Sequence, residues 1–448
     1  MQSGSSCRLK NKETHKGRNE TKKSLAILTG AALLLSVSAT AKVRVSKYSI
    51  TINEPVTAQN TAAAAAEFQK TGGTNPSLTL AQCDDAGLAA AVKAFPKITK
   101  LTIQKSPKLS SIEALKTAPL TTLSLDRLPA LADLAPLASI KTLRTLSVDQ
   151  VGFKNPDLSF CANLPELNSF SLRNFPATLK TISGIDKCPR LNQLLIANNQ
   201  GPLDLAPLAN FKKMRRLSLK YVNGLDLTPV TRMPALIGLD LYGARNLDLA
   251  PLAACPKLKE IMIYATKGIK DYNVLANIKT LENVHAGLTP MNDLSWAPQL
   301  PNLKKVSLFA ENFKTFAPLG ECRKLEKLTF WSMKGTVDIA QFANGSAPLK
   351  ELSFAGSTIV NEAKLADLAK TAKLTSLNLD DVNRGKRAID ISFLEAFPQM
   401  KTLNLRKAKV TSLEPVTKLT KLKKLTLDKP QKAQLAGKLP DSVYISAY

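Results

Sequence analysis

The chain has 448 residues, 44% of them hydrophobic and 5% aromatic, with 62 basic and 35 acidic side chains for a net charge of +27. That is ample for a large buried core, so a chain too small or too polar to fold alone is excluded; length alone would suit two or three ordinary domains, but the repeats described below favour one elongated domain. The charge excess suits polyanions such as nucleic acid, anionic lipid head groups or acidic and sulfated glycans, or else it is a solvated Lys-rich surface that keeps the protein soluble.

The first 41 residues read as a secretory leader. Lys22 and Lys23 precede an apolar run from Leu25 to Leu35, and Ala39-Thr40-Ala41 supplies a small-x-small cleavage site after Ala41. The run is too short to span a bilayer. No Cys follows the cleavage site, so no lipid anchor is expected, and no second long apolar segment exists. Removing the leader's net +5 leaves +22 on the mature chain. The predicted location is secreted or periplasmic.

Residues 42–96 form an N-terminal segment. Val43–Ile52 reads as a strand. Ala62–Phe68 reads as a short helix capped by Asn60 or Thr61 and ended by Gly72-Gly73. Asp84-Asp85 opens an Ala-rich helix through Phe95, stopped at Pro96. These elements are candidates for the polar cap that a repeat array needs at its end.

Residues 97–430 repeat with a period of 22 to 26 residues, giving fifteen copies of an apolar-x-x-apolar-x-apolar core. The first is Ile98-x-x-Leu101-x-Ile103 and the last Leu422-x-x-Leu425-x-Leu427. Leu78-Thr79-Leu80 reads as a half-formed strand in front, and Val443-Tyr444-Ile445 as one behind, within a C-terminal cap over 431–448. Within each core, apolar and polar residues alternate, the period of a strand buried on one face. One such strand cannot bury its leucines alone; stacking the copies makes a parallel sheet with a continuous core. The second half of each copy repeats Asp-Leu-x-Pro-Leu, as at Asp133–Leu137, Asp204–Leu208 and Asp248–Leu252. Proline there disfavours a long helix, so short helical or 3-10 segments are predicted, with a true helical turn or two around Ala363–Ala372.

This pattern resembles the leucine-rich-repeat family, and most closely its bacterial internalin-like class, over about residues 77–446. The resemblance implies an α/β solenoid, a horseshoe with a parallel concave sheet. The family places Asn three residues after the last strand leucine; here only Asn199 matches, while other copies carry Ser106, Thr266, Thr289 or Ser357, or an apolar residue such as Val151, Val222 or Met333.

Six cysteines are present, Cys7 in the leader and Cys83, Cys161, Cys188, Cys255 and Cys322 beyond it. The last three recur at intervals of 67 residues, three repeats each time. Three strand spacings are about 14 Å, beyond the roughly 7 Å that a disulfide bridges between Cα atoms. Buried thiols are expected instead.

In this fold the residues between the core leucines face the concave side. The central column is mostly small and hydroxylated, as at Thr102, Ser124 and Ser147, but carries Asp240, Met262 and His285 in the middle. Two residues on, the column reads Tyr242, Tyr264, Gly287, Phe309 and Trp331, with Tyr221 beside it. Aromatics in a chain that has few of them suit carbohydrate stacking or a protein hot spot; the alternative is that the rings pack on one another and stiffen the sheet. His285 falls in the same patch near Asp240 and reads as a hydrogen-bonded surface group. Trp296 lies in a return segment and reads as core. A basic rim of Arg215, Arg216, Lys259, Lys304, Lys305 and Lys327, continued by Lys350, Lys401, Lys423 and Lys424, is expected beside the aromatics, unless these are the solvated lysines that discourage association at sheet margins.

No metal-spaced His or Cys pair, phosphate-cradling glycine loop or nucleophile elbow is present, and a Ser-His-Asp triad would rest on His285 alone. Neither enzyme activity, a metal nor a cofactor is expected. The sequence points to an exported bacterial protein that recognises a protein or glycan, neutral or anionic, through its concave face. The alternative is a structural or adhesive envelope component held to anionic polymers or lipid by charge. Nucleic acid is not expected as a partner, since export removes the usual target.

Overall fold

The structure is a computed structural model and describes residues 42–152, 157–174, 179–199 and 201–448. The leader, with Cys7, Lys22, Lys23 and the Ala39–Ala41 motif, lies outside these residues.

Most copies open with a short strand whose residues alternate between core and surface; Asn283–Gly287 departs from this, with His285 buried as well. In Lys305–Phe309, Val306 and Leu308 are buried while Ser307 and Phe309 stay half-buried on the other face. Copies pair in parallel and in strict register, so that Leu101, Leu123, Leu146, Phe170 and Leu194 fall in one column. The register holds to the far end, where Leu403 pairs with Leu425 and Leu425 with Ile445. Fully burying one leucine stabilises by about 1.5–3 kcal/mol. A lone strand exposes its leucines; the stack hides them, which is why the fold is cooperative along its length.

Among the described residues the sheet has 19 strands and is parallel except for its first pair, Val43–Val45 against Ser49–Ile52. It is open, with Val43–Val45 and Tyr444–Ala447 at its two edges. The expected single strand over Val43–Ile52 is thus a hairpin, reversed where Ser46 Oγ accepts the Ser49 N–H at 3.0 Å. The helix that follows is longer than expected, Ala58–Lys70, and is capped by Thr57. Asn60 is instead the third helical residue, and its side chain completes a capping box with Thr57. Asp84 caps the second helix, Asp85–Ala94.

Most return segments are 3-10 turns, many of them set by an aspartate, while Ala317–Gly320 and Glu414–Thr417 are single α-helical turns. Asp248 accepts the Ala250 N–H at 2.9 Å, and Asp133, Asp204 and Asp226 each accept the N–H two residues on at 2.8 Å. Proline then sits in the first turn, where no intrahelical N–H is needed. The longest return, Glu362–Lys370, is also 3-10 rather than α-helical. It packs between the 3-10 segments Ile339–Gln341 and Ser392–Ala396 and shares their tighter winding.

A left-handed residue directly follows many strands and turns the chain out of the sheet, among them Lys105, Tyr221, Ala265, Leu288 and Ala310. Three residues past the last strand leucine, the family's asparagine has working substitutes. Asn199 accepts the Leu179 N–H at 2.8 Å, Ser106 that of Cys83 at 2.9 Å, and Ser357 that of Met333 at 3.2 Å. Glu311 takes the same place and accepts both the N–H and the hydroxyl of Thr289.

All five described cysteines are buried and free. Burial pushes the Cys83 and Cys322 thiols up to about 12 and Cys255 to about 11. Trp296 is fully buried and donates its indole N–H to the Asp293 carbonyl at 3.2 Å. Among the described residues, no helix is long and apolar enough to cross a membrane.

Candidate functional site

The strand register carries the aromatic residues onto one face, opposite the leucine core. Tyr264, Gly287, Phe309 and Trp331 are direct cross-strand partners in sequence. Their rings form an unbroken ladder. Tyr221 meets Tyr242 edge-on with centroids 5.2 Å apart, Tyr242 lies 6.4 Å from Tyr264, Tyr264 lies 6.4 Å from Phe309, and Phe309 lies 4.9 Å from Trp331. The three inner rings are half-buried, while Tyr221 and Trp331 at the ends are 50% and 56% exposed.

Two glycines make room for this ladder. A methyl group on Gly287 would sit 2.7 Å from both the Phe309 Cβ and the Tyr264 ring. One on Gly243, which has a φ of +69°, would lie 2.4 Å from the Tyr221 ring. The gap at Gly287 thus lets Tyr264 and Phe309 touch across an intervening strand. Tyr221 joins from the left-handed turn position, with a φ of 51°. The Lys220 ammonium lies 5.9 Å above the Tyr242 ring and pairs with Asp240 at 2.7 Å. Asp240 also accepts the Tyr242 N–H at 3.1 Å, which fixes the carboxylate at the edge of the rings. A cleft of about 130 Å³ opens beside it over Gly238, lined by Arg216, Ser218, Asp240, Glu260 and Met262.

His285 is buried in the sheet face, not a surface group, and its charged neighbour is Glu260 at 3.7 Å rather than Asp240. The register explains the difference, because Met262 stands between Asp240 and His285. Burial first, and then Lys305, hold the imidazole below its usual range, so it is neutral at pH 7.

The cations expected as a rim do line up along the strand starts, but carboxylates stand among them. Arg216 pairs with Glu260 at 3.1 Å. Lys259 and Lys304 both hold Glu282, at 2.7 and 2.9 Å, and Lys327 pairs with Glu351. Lys350 pairs with Glu326 at 2.7 Å. This stretch is a ladder of alternating sign rather than a positive rim. Sequence reading missed Glu260, Glu282, Glu326 and Glu351, although each occupies the same two repeat positions as the cations. Arg215 and Lys305 have no ion pair among the described residues. The described residues hold no cluster of His, Cys, Asp or Glu suited to a metal ion.

No family model matches the chain, and no curated protein matches it. Solved structures do. A leucine-rich-repeat protein of Leptospira interrogans is similar at a TM-score of 0.53 and 15% identity, over 88% of this chain and 100% of its own. An internalin of Listeria monocytogenes is similar at a TM-score of 0.44 and 18% identity, over 82% of this chain and 93% of its own. The likeness to the Leptospira protein, with the register described above, establishes the fold as an open leucine-rich-repeat solenoid.

Proposed function

We propose that this leucine-rich-repeat solenoid is an exported bacterial recognition protein that receives a protein or glycan on its concave sheet face, at the rings from Tyr221 to Trp331. The ring ladder carries the reading. Five aromatic side chains in a chain with few of them are gathered onto one face, and glycines at two positions keep them in contact. Flat rings bordered by hydrogen-bonding groups bind sugar faces or the apolar anchors of a protein partner. Asp240, Ser218 and Arg216 supply such groups at one border, beside a cleft that a small polar group would enter. His285 is too buried to contribute more than support to the strand. The repeats are a scaffold, and such scaffolds carry function in the surface that they display rather than in their fold. The reading is of binding, with no covalent chemistry and no cofactor.

The test is a combined glycan and surface-protein array probed with the purified chain at two salt concentrations. Truncating a hot-spot side chain costs about 2 kcal/mol or more. The Tyr264→Ala/Trp331→Ala variant is therefore expected to lose at least about 30-fold in affinity for a ligand whose capture persists above physiological salt. Salt-resistant capture that is unchanged in the variant overturns the ring site, and so does the lack of any capture above physiological salt, which favours an envelope component held by charge.

A further inference from the structure

A second surface lies away from the rings, on the edge of the solenoid where the strands begin. There a groove of about 790 Å³ is lined by six cations against one carboxylate, Glu166, which is engaged by Arg190 at 2.6 Å. Arg144, Lys213, Arg215 and Lys257 are exposed and make no ion pair among the described residues. The same edge further along the chain behaves differently. There Lys259, Glu282 and Lys304 alternate and neutralise one another, as do Glu326 and Lys350. Like charges gathered without counter-charges repel one another, and the cost is recovered when an anion binds between them. Other cations of this edge, such as Lys305 and Lys401, also make no ion pair among the described residues, but here six cations line one groove with a single, already engaged carboxylate, and that concentration marks the stretch as a site.

The shape and the neutral lining select the anion. From the copy of Arg144 to that of Lys257 the groove crosses five strand spacings, about 24 Å, which suits an extended chain better than a single small anion. The side-chain amides of Asn168 and Asn192 sit between the cations and make no hydrogen bond to protein among the described residues. Amides offer a donor and an acceptor together, which matches sugar hydroxyls. The lining holds no aromatic ring on which a nucleobase would stack, and a recessed groove meets a flat bilayer poorly. We propose that this edge groove binds an acidic polysaccharide, its carboxylate or sulfate groups seated on Arg144, Lys213, Arg215 and Lys257 and its hydroxyls on Asn168 and Asn192. The site is separate from the ring ladder and does not depend on that reading.

Binding of the purified chain to heparin and to polygalacturonate, followed by calorimetry at physiological salt, tests the proposal. The Lys213→Ala/Arg215→Ala/Lys257→Ala variant changes only exposed side chains, so it should fold, as circular dichroism will check. It is expected to lose about tenfold or more for at least one of the two polysaccharides. Lys304→Ala/Lys350→Ala, in the paired stretch, should change affinity less than about twofold. Tyr264→Ala/Trp331→Ala should leave it unchanged, which separates this site from the ring site. Asn168→Ala/Asn192→Ala should weaken polysaccharide binding without altering its salt dependence. Equal losses in the two cation variants, no binding to either polysaccharide, or equal affinity for a single-stranded oligodeoxyribonucleotide or phosphatidylserine vesicles would overturn the proposal.

Discussion

At the scale of single residues, the clearest local conflict is Glu311. It is 2% exposed, and burial raises its carboxyl above the ordinary glutamate range despite the two bonds from Thr289. A raised folded-state value means that the native chain holds this proton more tightly than the unfolded chain. Stability from this group is therefore full below the unfolded value and declines as pH rises through the folded one. Glutamine keeps the acceptor for Thr289 without a charge. Glu311→Gln is expected to be more stable than the parent at pH 8, by about 1 kcal/mol, with the difference shrinking towards pH 4 in thermal melts across that range. A difference that grows towards pH 4 contradicts the assignment. The position of Glu311 was legible in the sequence, because it falls three residues past a strand leucine, where the family carries asparagine. Its burial was not, since glutamate is seldom fully buried. The gathering of Tyr242, Tyr264, Phe309 and Trp331 was legible for a simple reason: a period of two within the strand and a fixed repeat length place them on one face. The environment of His285 was not, because it depends on Met262 intervening and on Glu260 reaching from the next strand.

At the scale of elements, the repeat is a strand whose side-chain period makes the core and a return whose aspartate makes the turn. The aspartates at Asp157, Asp226 and Asp293 are held below the usual carboxylate range by hydrogen bonds from Ser159, Thr228 and Ser295. A depressed value contributes stability above the unfolded value and loses it as pH falls through the folded one. The returns should therefore loosen first under acid. Asp248→Ala removes the acceptor for the Ala250 N–H and is expected to cost about 1 kcal/mol, read as a lowered urea midpoint with unchanged slope. A variant as stable as the parent would mean that the proline and the neighbouring returns hold the turn without the cap. The apolar strand positions of the repeats were legible in the sequence, but the N-terminal hairpin and the bounds of the last strand, Tyr444–Ala447, were not, and the return type was legible only as far as proline's effect. Nothing in one copy shows that Glu362–Lys370 must match the winding of the returns on either side.

At the scale of the whole molecule, stacking turns columns of sequence into surfaces. The leucine column becomes the core, the aromatic column a ladder, and the two columns before the strand a charged edge. The net charge of +27 is therefore not spread evenly. Part of it is locked into cross-repeat pairs, such as Arg216 with Glu260 two copies away, and part is left unpaired around Arg215 and Lys257. That division was not legible in the sequence, because it depends on which neighbours the register brings within reach of each cation. The ring ladder was legible, and it is the feature on which the proposed recognition depends. Only two tryptophans are present, one fully buried at Trp296 and the other exposed at Trp331, so the exposed indole reports on the ladder against a constant background. The most direct measurement is the tryptophan emission of the purified chain during titration with a ligand that the array captures above physiological salt. The account predicts a saturable blue shift as Trp331 leaves water, following the same isotherm as binding. Saturable binding with unchanged emission would contradict it.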